Sequence, residues 1–122
     1  LSVVTTVIGV KPEKGWILVD AGWMALSRDR GTASQAVDYG YGMVLDAVGR
    51  PLPDWIVESA SQEHGVIKHR SGSSAIPTTV QVGDKLRILP NHACATASQF
   101  DKYYVADAEG QLSEQWSRFN FW

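Results

Sequence analysis

His92 and Cys94 stand two positions apart in Pro90-Asn91-His92-Ala93-Cys94-Ala95-Thr96, and Cys94 is the only cysteine of the chain. An imidazole and a thiolate are ready ligands for a soft or borderline divalent metal such as zinc. Two protein ligands are too few for a closed structural zinc site. A metal held here would therefore keep open positions for water, a substrate or another part of a larger protein. On a strand, residues i and i+2 share a face, and Pro90 biases Leu89 toward extended backbone. On an extended segment both side chains could thus reach one metal, whereas on a regular helix they would diverge by roughly 160° and a shared metal would need irregular backbone. The competing reading is a buried, unreactive cysteine beside a hydrogen-bonded histidine.

A second polar cluster is Glu63-His64-Gly65, set within a strand-like pattern. His64 has the chemistry of an acid, a base or a third ligand, or of a strand-end histidine making one hydrogen bond. Gly65 would permit a bulge or the close approach of another backbone. Asp20 closes an apolar run, where its carboxylate either caps a short helix over Gly22 to Leu26 or orients a catalytic histidine. Ser27-Arg28-Asp29 follows just beyond, and His69 lies beside a charged loop and reads as solvated. Five tryptophans and four tyrosines suit sugar stacking or a partner surface, but fit core or cross-strand pairs more simply. Trp116 and Trp122 are the ones placed to pack across an interface. No phosphate-cradling glycine loop, Gly-x-Ser-x-Gly or Cys-x-x-Cys is present.

The elements that must position these residues are short, β-branched or aromatic runs bounded by Gly, Pro or Asp. They predict strands over Val3 to Val10, Trp16 to Asp20, Tyr41 to Val48, Trp55 to Ser61, Gly65 to Lys68, Lys85 to Leu89, Tyr103 to Asp107 and Leu112 to Trp116. Turns are expected at Lys11 to Gly15, Gly49 to Asp54, Gly83-Asp84 and Ala108-Glu109-Gly110, the last as a hairpin loop. Gly22 to Leu26 and Ala95 to Phe100 offer one or two helical turns each. Arg28 to Gln35 and Arg70 to Ser74 read as exposed loops. The expected fold is all-β, a barrel-like or Greek-key domain with one or two short helical turns.

Length and composition bound the rest. A chain of 122 residues is one domain with room for a real core, and 44% hydrophobic with 20% charged residues argues against disorder. A formal net charge of -2 gives no reason to expect nucleic acid or an anionic membrane as partner. No apolar run approaches a membrane span, and a single cysteine fits a reducing, cytoplasmic setting. The chain opens on Leu1 inside an apolar run, so an excised or processed domain is expected.

Four segments, in order along nearly the whole chain, carry a resemblance. They are Val19-Asp20-Ala21-Gly22 with Leu26-Ser27-Arg28-Asp29, then Gln62-Glu63-His64-Gly65, then Val82 through Cys94, and Tyr103-Tyr104-Val105-Ala106-Asp107. Together they resemble the C-terminal β-domain of the D-serine dehydratase and D-threonine aldolase family, whose members are pyridoxal phosphate enzymes. The resemblance implies that residues 1–122 are such a domain, completed by an N-terminal barrel that carries the cofactor and its lysine. It implies zinc, or another divalent metal, on His92 and Cys94, facing that cofactor and a small D-amino acid substrate. A homodimer, in which this domain helps close the partner's active site, is implied as well. His64 and Asp20 are the further candidates for a catalytic or positioning role. Relatives that place Asp at the second ligand position are aldolases, so Cys94 leans the reading toward dehydration. The alternative is a stand-alone β-barrel for binding or oligomer assembly, with no metal.

Overall fold

The computed structural model describes residues 1–119, so Trp122 lies outside the described residues. Six strands close into an antiparallel barrel: β1 (Val3–Lys11), β2 (Trp16–Val19), β3 (Gly42–Leu45), β4 (Pro51–Ala60), β5 (Gly65–His69) and β6 (Lys85–Pro90). Their order around the barrel is β1-β2-β5-β4-β3-β6, with β6 pairing back to β1. Strands β3, β4 and β5 follow one another, and β6 returns beside β3, which is a Greek key. A separate hairpin of β7 (Lys102–Ala106) and β8 (Leu112–Ser117) completes the all-β fold. Helical content among the described residues is a 3-10 turn at Pro12–Lys14 and one short helix, α1 (Ala93–Ala97).

The period-2 alternation of the strands builds the interior. Along β1, Val3 and Val7 point inward while Val4 and Ile8 face out. Ile17, Val19, Val44, Val57, Ile67 and Ile88 meet them in a fully enclosed core. Register shifts at Val7/Gly9, Met43/Leu45 and Val57/Ser59 mark bulges that help short strands curve into closure.

Several expected boundaries move. The strand expected over Tyr41 to Val48 stops at Leu45, because Asp46 turns the chain: its Oδ1 accepts the amides of Val48 (3.0 Å) and Arg50 (2.8 Å). Pro51-Leu52-Pro53-Asp54, expected as turn, instead opens β4. The β3–β4 ladder is irregular there, pairing Leu45 with Pro51 and then Met43 with Ile56, which accommodates prolines that cannot donate. Gly22 to Leu26 forms a single turn, closed by the Ala25 and Leu26 amides on the Gly22 carbonyl (both 3.1 Å). The helix expected from Ala95 starts two residues earlier, at Ala93. Of the tryptophans described, Trp55 alone is buried, whereas Trp16 lies under Lys14 and Lys68 and Trp23 under Arg28. His69 is not simply solvated: its ring meets Trp55 edge-on at 5.5 Å and its Nδ1 meets the Ser71 hydroxyl.

The long connection from β2 to β3 is pressed against the barrel at two glycines. A Cβ on Gly65 would lie 2.6 Å from the Ala21 carbonyl oxygen, and one on Gly22 would collide with the carbonyls of Ser61 and Gln62. The Trp23 amide donates to the Ser61 carbonyl (2.9 Å) and the Met24 amide to that of Gln62 (3.2 Å). The close approach expected at Gly65 is thus realised, and it seats the segment that continues to Asp29.

Candidate functional site

His92 and Cys94 lie where β6 ends. The Asn91 amide donates to the Tyr41 carbonyl at 3.3 Å. The Asn91 side-chain amide donates to the Gly40 carbonyl and to the Thr32 hydroxyl. These bonds hold the chain at the barrel rim. His92 is still extended (φ -128°, ψ 91°), and its carbonyl accepts the Thr96 amide at 3.1 Å, so helix α1 begins at the next residue. The alanine-rich run Ala93 to Ala97 favours that turn. The extended geometry expected for the pair therefore holds at His92 and not at Cys94, which sits in the first turn of α1. Both residues are exposed, and Cys94 is a free thiol, which removes the alternative of a buried, inert cysteine.

A carboxylate does meet a histidine, but it is Asp29 and not Asp20. Asp29 Oδ2 hydrogen-bonds His92 Nδ1 across 63 residues of sequence. An ionised carboxylate only accepts, so Nδ1–H is the donor in this contact, and whenever the ring is neutral the Nε2 lone pair is the one left for a ligand. Thr96, 1% exposed, donates its hydroxyl to the Leu26 carbonyl, which fixes the backbone leading to Asp29. Ser27 takes a positive φ of 136°, and its hydroxyl accepts the Asp29 amide at 3.2 Å. Beyond Asp29, Arg30 pairs with Asp38 at 2.6 Å and lies over the Tyr41 ring at 5.6 Å. Asp38 also accepts the Gly40 amide and the Thr32 hydroxyl, both at 2.9 Å. The Gly40 amide lowers the Asp38 carboxyl most; burial opposes it, and Thr32 and Arg30 add to the lowering.

Asp20 serves β1. Its Oδ1 accepts the Thr5 hydroxyl and the Thr6 amide, both at 2.7 Å, and does not cap the turn at Gly22. Burial pushes its carboxyl up, but the Thr6 amide, the hydroxyls of Thr5 and Thr6 and the charge of Lys85 together hold it below its ordinary 3.8. His64 is exposed in the β4–β5 turn, where its carbonyl accepts the Ser61 amide at 2.8 Å. The structure thus joins His92 to Asp29 and Asn91 to Thr32, while Asp20 is bound to Thr5 and Thr6 of β1. The Asp29 contact gave no signal in spacing, because it spans two distant loops.

Among the described residues, no three His, Cys, Asp or Glu side chains converge to hold a metal. The donor set available is the pair His92 Nε2 and Cys94 Sγ. An accessible thiol and an imidazole whose far nitrogen is held by a carboxylate fit zinc as a partial shell. A concavity of about 660 Å³ is elsewhere: it lies between the start of β1 and the β7–β8 hairpin, with Val4, Phe100, Tyr104, Leu112 and Trp116 among its walls. No helix among the described residues is long and apolar enough to cross a membrane.

Comparison with known proteins agrees with this architecture. Residues 1–106 match the serine dehydratase domain family. The D-threo-3-hydroxyaspartate dehydratase of Delftia sp. (strain HT23) is 50% identical over 124 residues, covering 100% of this chain and 32% of the relative. The D-serine dehydratase of Saccharomyces cerevisiae is 33% identical over 124 residues, covering 98% of this chain and 28% of the relative. The chain thus spans about a third of the length of these relatives. The solved Delftia dehydratase superposes with a TM-score of 0.90 at 49% identity, covering 99% of this chain and 32% of that one. Two variants of a D-threo-3-hydroxyaspartate dehydratase, each 48% identical, match at the same TM-score and cover 99% of this chain and 31% or 32% of theirs. One replaces a histidine by alanine; the other replaces the cysteine two positions further on and is in the metal-free form. The chain belongs to the serine dehydratase domain family, to whose D-serine and D-threo-3-hydroxyaspartate dehydratases it is similar.

Proposed function

We propose that residues 1–122 are the metal-binding C-terminal β-domain of an enzyme that dehydrates D-β-hydroxy amino acids to the 2-oxo acid and ammonia. The observation that carries this reading is the exposed His92-Ala93-Cys94 segment with Asp29 on the far nitrogen of His92. The His-x-Cys spacing of this segment is also the spacing of the two residues replaced in the dehydratase variants. His92 Nε2 and Cys94 Sγ would hold a divalent metal, with zinc favoured over harder ions by the thiolate. When bound, such a metal supplies a Lewis acid that stabilises charge developing on a departing hydroxyl oxygen. This domain's own work is to present both ligands on one rim of a rigid barrel. Asn91 and Thr96 fix the backbone on either side of them, and Asp29 fixes the ring.

Pyridoxal phosphate and the lysine that holds it belong, in this reading, to an N-terminal barrel outside this chain. The apolar surface of Val4, Tyr104, Leu112 and Trp116 beside the hairpin, each more than half exposed, suits burial against such a domain or against the second subunit of a homodimer. Dehydration is favoured over aldol cleavage by Cys94 at the second ligand position and by the two dehydratase relatives. His64 and Asp20 stay secondary; Asp20 is more simply a brace for β1.

The test is made on the full-length enzyme that contains this domain, assayed with D-serine and D-threo-3-hydroxyaspartate. The reading predicts 2-oxo acid and ammonia release that stops on chelation and returns with zinc. An undiminished rate after complete metal removal would sink it.

A further inference from the structure

We propose that Asp29 is a positioning residue for His92, holding the ring so that Nε2 is the nitrogen offered to the metal. This rests on the reading of His92 and Cys94 as ligands and adds a member that their spacing does not contain. The contact itself is direct: Asp29 Oδ2 on His92 Nδ1. Both side chains are about half exposed, at 53% and 50%, so the pair does little for stability on its own. Yet each partner is set in place by an anchor behind it. The peptide three residues before Asp29 is fixed by the buried Thr96 hydroxyl on the Leu26 carbonyl, and the Asp29 amide is held by the Ser27 hydroxyl. His92 follows Asn91, whose side chain is bound to Thr32 and Gly40. Anchors on both sides of an exposed contact make its geometry reproducible without making it a fold determinant.

A carboxylate on the non-ligating nitrogen selects the tautomer, restrains ring rotation and raises the basicity of the ligating nitrogen. Asp38, the next acid along the loop, is already taken by the Gly40 amide, Thr32 and Arg30, so it does not stand in for Asp29. Arg28 lies over the Trp23 ring at 5.3 Å and Arg30 pairs with Asp38, which leaves the Asp29 carboxylate to His92.

The experiment compares wild type, Asp29→Ala, Asp29→Glu and Cys94→Ala in the full-length enzyme. Zinc dissociation constants are measured by competition with a chromophoric chelator. The His92 tautomer is read from imidazole nitrogen chemical shifts in the metal-free protein. Asp29→Ala should weaken zinc by about tenfold to a hundredfold. It should also move His92 from the Nδ1-protonated tautomer to a mixture, with an unchanged melting temperature; Asp29→Glu should restore part of both. Zinc binding in Asp29→Ala as tight as wild type, while Cys94→Ala is weakened, overturns the role of Asp29 and leaves the metal site standing. A wild-type enzyme that binds no zinc overturns the metal site and the role of Asp29 with it. An Nδ1-bare ring in the metal-free wild type overturns the positioning role whatever the zinc affinity.

Discussion

The Thr96 hydroxyl donates to the Leu26 carbonyl, and through this buried contact the helix carrying Cys94 is joined to the loop carrying Asp29. Thr96 and Leu26 are each about 1% exposed, so neither group has water as a substitute partner. The two halves of the candidate site, 70 residues apart in sequence, are thereby hydrogen-bonded to each other.

Thr96→Val keeps the shape and deletes the donor. The Leu26 carbonyl loses its hydroxyl partner in the core, and stability should fall by about 1–3 kcal/mol. Urea unfolding followed by tryptophan fluorescence measures this. A midpoint equal to wild type would show that the contact does not tie the two segments together.

Acid should loosen the barrel rim in a defined direction. Asp20 and Asp38 are both held below their ordinary 3.8 in the fold. A depressed folded value means that the unfolded chain binds more protons as acid is added. The stabilisation is complete above the unfolded value and is lost as pH falls through the folded one. Unfolding free energy should therefore decline below about pH 4. In the Asp20→Asn, Asp38→Asn double variant the decline should be shallower. Equal slopes in the two proteins would contradict the assignment.

Gly65→Ala should destabilise the fold although the side chain added is small. Its Cβ would stand 2.6 Å from the Ala21 carbonyl oxygen, which is backbone and cannot swing aside. Overpacking of this kind costs about 1–3 kcal/mol. The thermal midpoint should drop, whereas Gly31→Ala, with nothing within 4 Å of the added carbon, should leave it near wild type. Equal midpoints in the two variants would refute the close approach.

Much of the barrel is legible in the sequence because its strands alternate or run apolar between strong turn residues. Val3, Val7, Ile17, Val19, Ile67 and Ile88 all sit in runs that read as strands, and all are core. Pro51 and Pro53 mislead because prolines usually mark turns, and only the bulged β3–β4 register shows how a strand accommodates them. At the site, His92 and Cys94 are visible from residue type alone. Their backbone is legible only in part: the helical turn is expected from Ala95, but not its start at Ala93, directly after Asn91 is tied to Gly40 and Thr32. Asp29 is visible as a carboxylate but not as the partner of His92, because that pairing exists only once the β2–β3 connection folds back against the barrel. Asp20 shows the same limit in reverse: a carboxylate at a strand end looks available until Thr5 and Thr6 claim it.

The central claim is that His92 and Cys94 together hold a divalent metal. It is tested most directly by replacing the native metal of the full-length enzyme with cobalt(II) and recording the absorption spectrum. The account predicts a thiolate-to-cobalt charge-transfer band in the near ultraviolet that disappears in Cys94→Ala, together with weakened or altered visible bands in His92→Ala. A cobalt spectrum unchanged by both substitutions would contradict it.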